Sequence, residues 1–342
     1  STMGSKNYRL LIILGLIAFV WNGCKPDEED LPDTFTGAKV LIANQGNFGW
    51  GEGTLSVYYE GSETIDNEVY KRVNGESVGN VFQSIAKVED KFYLVINNSG
   101  RLVVADTGFK KIDVVDDFIS PRYFYQTDKY TGYMTDLYAN KIYLMDLASN
   151  TSAAVLPTNH WAEKGVIAGD LFWYTAPATN KIFSLDITSD QFKDSIVVGE
   201  KPESIIRDKN GVIWVLCKGD ESKNESAKLT SVRIEGGDIT SRSFDIKGVP
   251  TSLAYDKESH SIYFLSDRIW RFRPDEDNAP QSWVQLPDAE FYTVAVNPSS
   301  GDVYVSDVKD FVSKSTIYRY SREGALLDEF SAGIIAGDFF FP

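Results

Sequence analysis

The chain has few of the side chains on which most protein chemistry draws. Its 342 residues include only two cysteines, two histidines and three methionines. Cys24 and Cys217 cannot build a disulfide framework, and His160 and His260 lack the paired spacing of a metal site. Cys217 ends the apolar run Val212–Cys217, so it reads as a small core residue rather than a nucleophile. Positive charge is scarce as well. The chain carries 34 basic against 49 acidic residues, a formal net charge of −15, which opposes the phosphate neutralisation that nucleic-acid binding requires. There is no Asp-x-Asp-x-Asp-Gly calcium loop and no G-x-S-x-G elbow. The glycine-rich segment after Ala43 lacks the Lys-Ser/Thr pair of a phosphate loop and leads into a strand. These absences give the expectation of a protein that is not an enzyme, with no cofactor, no metal and no nucleic-acid partner.

The one long apolar run, Leu10 to Val20, follows Lys6 and Arg9. It is too short to span a bilayer and suits the core of a signal peptide. It stops at Trp21-Asn22-Gly23-Cys24, where a small residue precedes a cysteine as in the lipobox of bacterial lipoproteins, although Trp21 departs from the usual small or aliphatic side chains there. The acidic stretch Lys25-Pro26-Asp27-Glu28-Glu29-Asp30 follows. The expected organisation is a signal peptide over 1–24 with Cys24 as the lipidated residue, an acidic linker or surface-export tag over 25–36, and one domain over 37–342.

What that domain contains is repetition. Aromatics that centre a short strand recur as Tyr93, Tyr133, Trp173, Trp214, Tyr263 and Tyr304, at a spacing of about 40 residues with one enlarged repeat. A following strand recurs in phase with them, as Arg101-Leu102-Val103-Val104, Lys141-Ile142-Tyr143-Leu144, Lys181-Ile182-Phe183-Ser184, Lys228-Leu229-Thr230, Arg268-Ile269-Trp270 and Thr316-Ile317-Tyr318. Short β-branched and aromatic runs between Gly, Asn, Asp and Ser turns, at this period, predict four-stranded propeller blades; no long run repeats its apolar residues at helical spacing. The ends supply one more blade. Lys39–Ala43 and Thr54–Tyr58 read as second and third strands with no first strand before them, and Gly333–Ala336 reads as a first strand with no second after it. The predicted fold is all-β, a seven-bladed β-propeller whose last blade is closed by N-terminal and C-terminal strands together.

The loops between second and third strands enlarge in three blades, at 44–53, 218–227 and 307–315. They share a face with the starts of the inner strands, and irregular loops on a rigid scaffold are where binding concentrates. Aligned, the inner-strand starts place Phe82, Arg122, Ala162, Glu203, Thr251 and Tyr292 around the channel mouth, with Gln83, Tyr123, His160 and Trp161 beside them. The loops above contribute Asn47, Phe48 and Trp50, then Asn97 and Asn98, then Asp136 and Tyr138. Some of these have plainer readings. The aromatics of the glycine-rich loop can fold back on the blade, the asparagines suit turns for backbone reasons, and a lone histidine is often surface decoration.

The segments Asn44-Gln45-Gly46-Asn47-Phe48-Gly49-Trp50-Gly51-Glu52-Gly53, Gly79-Asn80-Val81-Phe82-Gln83-Ser84, Asn97-Asn98-Ser99-Gly100 and Ser120-Pro121-Arg122-Tyr123 resemble the surface propeller lipoproteins of Bacteroidetes with YncE-like folds. Within these, the chain is similar to the cobalamin-binding lipoproteins that associate with the outer-membrane corrinoid transporter. The resemblance implies a lipid-anchored protein on the outer membrane, facing the cell exterior. It would bind cobalamin or a related corrinoid as ligand rather than cofactor, and pass it to a TonB-dependent transporter. The aromatics would then cover the corrin ring, Asn and Gln would pair with its amides, and Arg122 would meet its phosphate. His160 is a conceivable cobalt contact. Other surface propellers take siderophores or glycans, or serve as adhesins, and propeller lyases and lactonases are the enzymatic alternative.

Overall fold

A computed structural model describes residues 35–342. Cys24, the expected signal peptide and most of the expected acidic linker lie outside the described residues. Seven four-stranded antiparallel sheets close into a ring. Blade 1 runs Phe82–Val88, Lys91–Ile96, Arg101–Ala105, Lys111–Val115, from the channel outward. Blades 2 to 6 follow in chain order, with inner strands Pro121–Gln126, Gly165–Ala168, Pro202–Arg207, Thr251–Asp256 and Phe291–Val296. Blade 7 joins the ends of the chain: Ala336–Phe340 is its inner strand, and Lys39–Asn44, Thr54–Tyr59 and Thr64–Asp66 complete it.

The closure is of the expected kind, but the closing strand starts three residues later than the sequence suggests. Gly333 and Ile334 end the long outer strand Leu326–Ile334 of blade 6. Ile335 turns the chain at a φ of 55°, and Ala336 begins the strand that pairs with Lys39–Asn44. The apolar pair Ile334-Ile335 imitates an inner strand because outer and inner strands meet there with a single residue between them.

Alternating side chains put one apolar stripe on each side of every blade, and each stripe meets that of the next blade. Seven apolar clusters result among the described residues, one in each gap between neighbouring blades. The repeating aromatics of the second strands lie in these gaps, and the hydroxyls of Tyr93, Tyr133 and Tyr304 reach across them. The Tyr93 hydroxyl donates to Asn150 and the Tyr133 hydroxyl to Asp190 at 2.6 Å, in each case at the outer turn of the next blade, 57 residues later. A buried tyrosine needs such a partner, and in these two blades the partners repeat with the aromatics. Cys217 is fully buried, and burial pushes its thiol up to about 12.

The antiparallel order defines two faces. Connections between blades and loops between second and third strands lie on the upper face; turns between first and second strands, and between third and fourth, lie on the lower.

Candidate functional site

The seven inner strands converge on the axis, and most carry a β-bulge one residue after their first pair. Pairing with the second strands sets equivalent positions. The upper ring is Gln83, Arg122, Glu163, Glu203, Thr251 and Tyr292, with Gly337 in blade 7. The next ring down is Ser84, Tyr123, Lys164, Ser204, Ser252, Thr293 and Asp338. Two expected ring residues are therefore displaced by one. Phe82 is fully buried in the apolar cluster between blades 7 and 1, and Ala162 in that between blades 2 and 3. A one-residue slip in a strand exchanges its two faces, and in blade 1 the bulge between Phe82 and Ser84 supplies that slip, while Ala162 precedes the strand Gly165–Ala168.

The upper ring is a bonded plate. Arg122 donates from Nε and Nη2 to both oxygens of Glu163, at 2.8 and 3.2 Å, and from Nη1 to Gln83 at 2.9 Å. Gln83 in turn donates to the Tyr123 hydroxyl at 3.2 Å. Burial opposes the charge on Arg122, but the paired carboxylate of Glu163 overrides it and raises its pKa. On the other side Glu203 accepts from the Thr251 hydroxyl at 3.3 Å and from the Ser252 amide at 3.1 Å. Lys164 approaches Glu203 to 3.7 Å and lies 5.5 Å from the centre of the Tyr123 ring. Gly337 leaves a gap in the plate that Gln45 fills: a Cβ there would stand 2.5 Å from Gln45 Nε2, which donates to the Tyr292 hydroxyl at 3.0 Å. Beneath the plate an axial cavity of about 300 Å³ is lined by Tyr123, Lys164, Ser252, Thr293, Asp338 and residues below them. Burial pushes the Asp338 carboxyl up to about 7, against the bond it accepts from the Ile85 amide at 2.9 Å.

Above the plate stands the glycine-rich loop 44–53. Asn80 of the neighbouring blade connection staples it: its Nδ2 donates to the carbonyls of Asn47 and Gly51 at 2.9 and 2.6 Å, and its Oδ1 accepts from the Gly49 amide at 3.1 Å and from Asn98 at 3.2 Å. Close approach also fixes glycine at position 53, where a Cβ would sit 2.6 Å from that of Phe82. So held, the loop points Phe48 and Trp50 outward, 68% and 94% exposed, rather than back onto the blade. Tyr138, Val249, Phe311 and Val312 are exposed on the same face, and Phe311 meets Tyr292 edge-on.

The family described as "Domain of unknown function (DUF5074)" matches residues 38–342. The chain belongs to the DUF5074 family. No curated protein matches it. Among solved structures, this DUF5074 propeller is similar to a quinonprotein alcohol dehydrogenase-like protein from Bacteroides thetaiotaomicron, at 15% identity and a TM-score of 0.72 over 91% of this chain and 79% of that one. A functionally unknown protein from Desulfotomaculum acetoxidans is similar at 11% identity and a TM-score of 0.69, covering 90% and 99%. Virginiamycin B lyase from Staphylococcus aureus is similar at 14% identity and a TM-score of 0.55, covering 72% and 83%. At these identities the likeness shows the propeller fold alone.

The geometry sorts the expected site residues of this DUF5074 protein. Gln83, Arg122, Tyr123, Glu203 and Tyr292 gather at the channel mouth, while Asn47, Phe48, Trp50, Asn98 and Tyr138 stand on the surrounding rim. Trp161 borders the plate, its ring centre 5.9 Å from the Arg122 guanidinium, and its indole nitrogen is buried with no partner among the described residues. Phe82, Asn97, Asp136 and His160 do not belong with them. Asn97 is buried and donates to Ser120 and to the Pro121 carbonyl; Asp136 is buried and accepts the amides of Ser120, Tyr138 and Ala139. Both hold turns, as short polar side chains do. His160 stacks on Phe183 at 4.2 Å and bonds the Tyr174 hydroxyl at 2.8 Å through Nε2, and burial lowers its pKa to about 4. That nitrogen is committed to the blade and offers no cobalt contact. Arg122 is likewise spent on Glu163 and Gln83, which removes it as a free phosphate ligand. The residues that sequence reasoning missed are Gln45, Asn80, Glu163, Lys164 and Asp338. Gln45 and Asn80 stand inside the distinctive segments quoted above, but their role is to connect blades, which periodicity does not display.

Proposed function

We propose that the upper face is a capture surface for a large disc-shaped ligand with an apolar ring and neutral amides, of the corrinoid class. What carries the reading is the pairing of two features on one face: outward aromatics at Phe48, Trp50 and Tyr138, and a satisfied polar plate at the axis. Exposed apolar side chains gathered on one face of a soluble scaffold mark an interaction site. A preorganised surface loses little entropy when it binds. The full reading is a lipid-anchored outer-membrane protein, facing the exterior, that hands the ligand to a TonB-dependent transporter. In it the protein binds rather than transforms its ligand.

Isothermal titration of the 35–342 propeller with cyanocobalamin tests it. Saturable binding that Trp50→Ala weakens by about tenfold or more supports the reading, since an aromatic buried by the ligand carries about 2 kcal/mol or more of such an interface. Absence of heat, with no co-elution of the red ligand, removes it. A second reading, a glycan-binding surface, is favoured by the near-complete exposure of Trp50, because flat exposed aromatics suit sugar rings. Binding to a glycan array that Trp50→Ala abolishes, without cyanocobalamin binding, would select it.

A further inference from the structure

The lower face carries a second, differently built cleft. It occupies about 490 Å³ beside the lower end of the channel, between blades 3, 4 and 5, and is lined by Val166, Ile167, Arg207, Asp208, Lys209, Tyr255 and Lys257. Tyr255 also lines the axial cavity, so cleft and channel share a wall.

Three of these residues are cations, and among the described residues none of the three makes an ion pair. In a chain with a net charge of −15, three uncompensated cations at one cleft are not a sample of the average surface. The one carboxylate in the lining, Asp208, is occupied by its own turn: it accepts the Asn210 and Val212 amides at 2.8 and 3.0 Å and the Trp214 indole N–H at 2.9 Å. The carboxylates of the next turn are also occupied. Arg322 binds both oxygens of Asp256, at 2.6 and 3.3 Å, and reaches Glu258 at 3.1 Å.

The same bonds make the turns rigid. Asp208 fixes the turn that carries Lys209, and the Tyr255 hydroxyl accepts the Lys209 amide at 2.9 Å while bonding His260 Nδ1 at 2.7 Å. Asp256 fixes the turn that carries Lys257 through the Ser259 hydroxyl at 2.6 Å. Arg207 lies along Gly211, 3.4 Å from where a Cβ would stand. Charge of one sign, held on braced turns over a concave floor, is the arrangement that recognises an oxyanion, with arginine supplying a fork and the lysines point charges.

We propose that this cleft is a second ligand site, for an oxyanion of the phosphate class. Two sources share that chemistry, a soluble phosphorylated small molecule and the headgroup phosphate of a lipid surface. The test is titration of the full propeller at low salt with glycerol 3-phosphate, alongside co-sedimentation with phosphatidylglycerol vesicles. Each is repeated on Lys209→Ala/Lys257→Ala and on Arg207→Gln, all at exposed positions, with melting temperatures confirming the fold. Saturable glycerol 3-phosphate binding, weakened at least tenfold by the double substitution, assigns a soluble ligand. Vesicle binding alone, lost in the same variants, assigns the headgroup. Binding to neither probe, or binding that both variants retain, overturns the site. None of these substitutions touches the upper face, so cyanocobalamin binding is expected to be unchanged in all of them.

Discussion

Replacing Asp338 with asparagine tests how the closing strand sits in the channel. Its carboxyl accepts the Ile85 amide at 2.9 Å, and burial pushes its pKa up to about 7. An aspartate in an unfolded chain titrates near about 3.9. Between those values the folded protein holds a proton that the unfolded chain has released. The contribution of Asp338 to stability therefore falls as pH rises from about 4 to about 7, then levels off. At about 1.4 kcal/mol per pKa unit, the ionised carboxylate costs up to about 4 kcal/mol above that window, and water in the open channel reduces the figure. A neutral amide in its place would carry no such cost, and the amide oxygen still accepts the Ile85 N–H. Urea denaturation of wild type and Asp338→Asn, followed by tryptophan fluorescence, should show the margin of the variant growing by roughly 2–3 kcal/mol between about pH 5 and about pH 8.5. A margin that does not change with pH would refute the reasoning, and so would a variant less stable than wild type at the alkaline end.

Three further outcomes are expected. Arg122→Met leaves Glu163 buried without its partner and should cost about 3–5 kcal/mol, whereas Arg122→Met/Glu163→Leu should recover much of the loss; denaturant midpoints decide, and equal losses in the two would sink the coupling. Asn80→Ala removes four side-chain bonds at the glycine-rich loop, so amide exchange over residues 46–52 should quicken at least about tenfold with little change in melting temperature; unchanged exchange would mean the glycines hold the loop by themselves. His160 stays neutral in the fold, its pKa lowered to about 4 by burial, so its protonation costs stability as pH falls from about 6.5 toward 4; the margin of His160→Phe over wild type should rise across that window, and a flat margin would place the imidazole in water.

The fold was legible because its repeating marks are physical necessities. Tyr93 and Tyr133 fall 40 residues apart because each fills a gap between blades, and their hydroxyl partners keep the same interval. The ring of channel residues was legible only in part. Arg122, Glu203, Thr251 and Tyr292 follow a proline or an aromatic that marks the strand start. In blades 1 and 3 the residues at the same apparent place, Phe82 and Ala162, belong to the core, and Gln83 and Glu163, one residue later, stand in the ring instead. Asp338 was hidden by the closing strand's apparent start at Gly333. Asn97, Asp136 and His160 looked available because sequence shows a polar side chain but not the bonds that consume it.

The two ends of the chain also set the direction of the ring. Lys39 opens a second strand, and second strands run from the lower face to the upper. Thr36 and Ala38 are therefore tied down on the lower face, where the Thr36 carbonyl accepts the Ser62 amide at 2.9 Å and the Ala38 carbonyl accepts the Glu60 amide at 2.9 Å. The strand Lys39–Asn44 then crosses the full height of the blade, and the loop bearing Phe48 and Trp50 begins at its far end. At the other end of the chain, Phe340 ends an inner strand that descends to the same lower face. The described chain thus both enters and leaves on the lower face, the face of Arg207, Lys209 and Lys257, opposite the exposed Phe48 and Trp50.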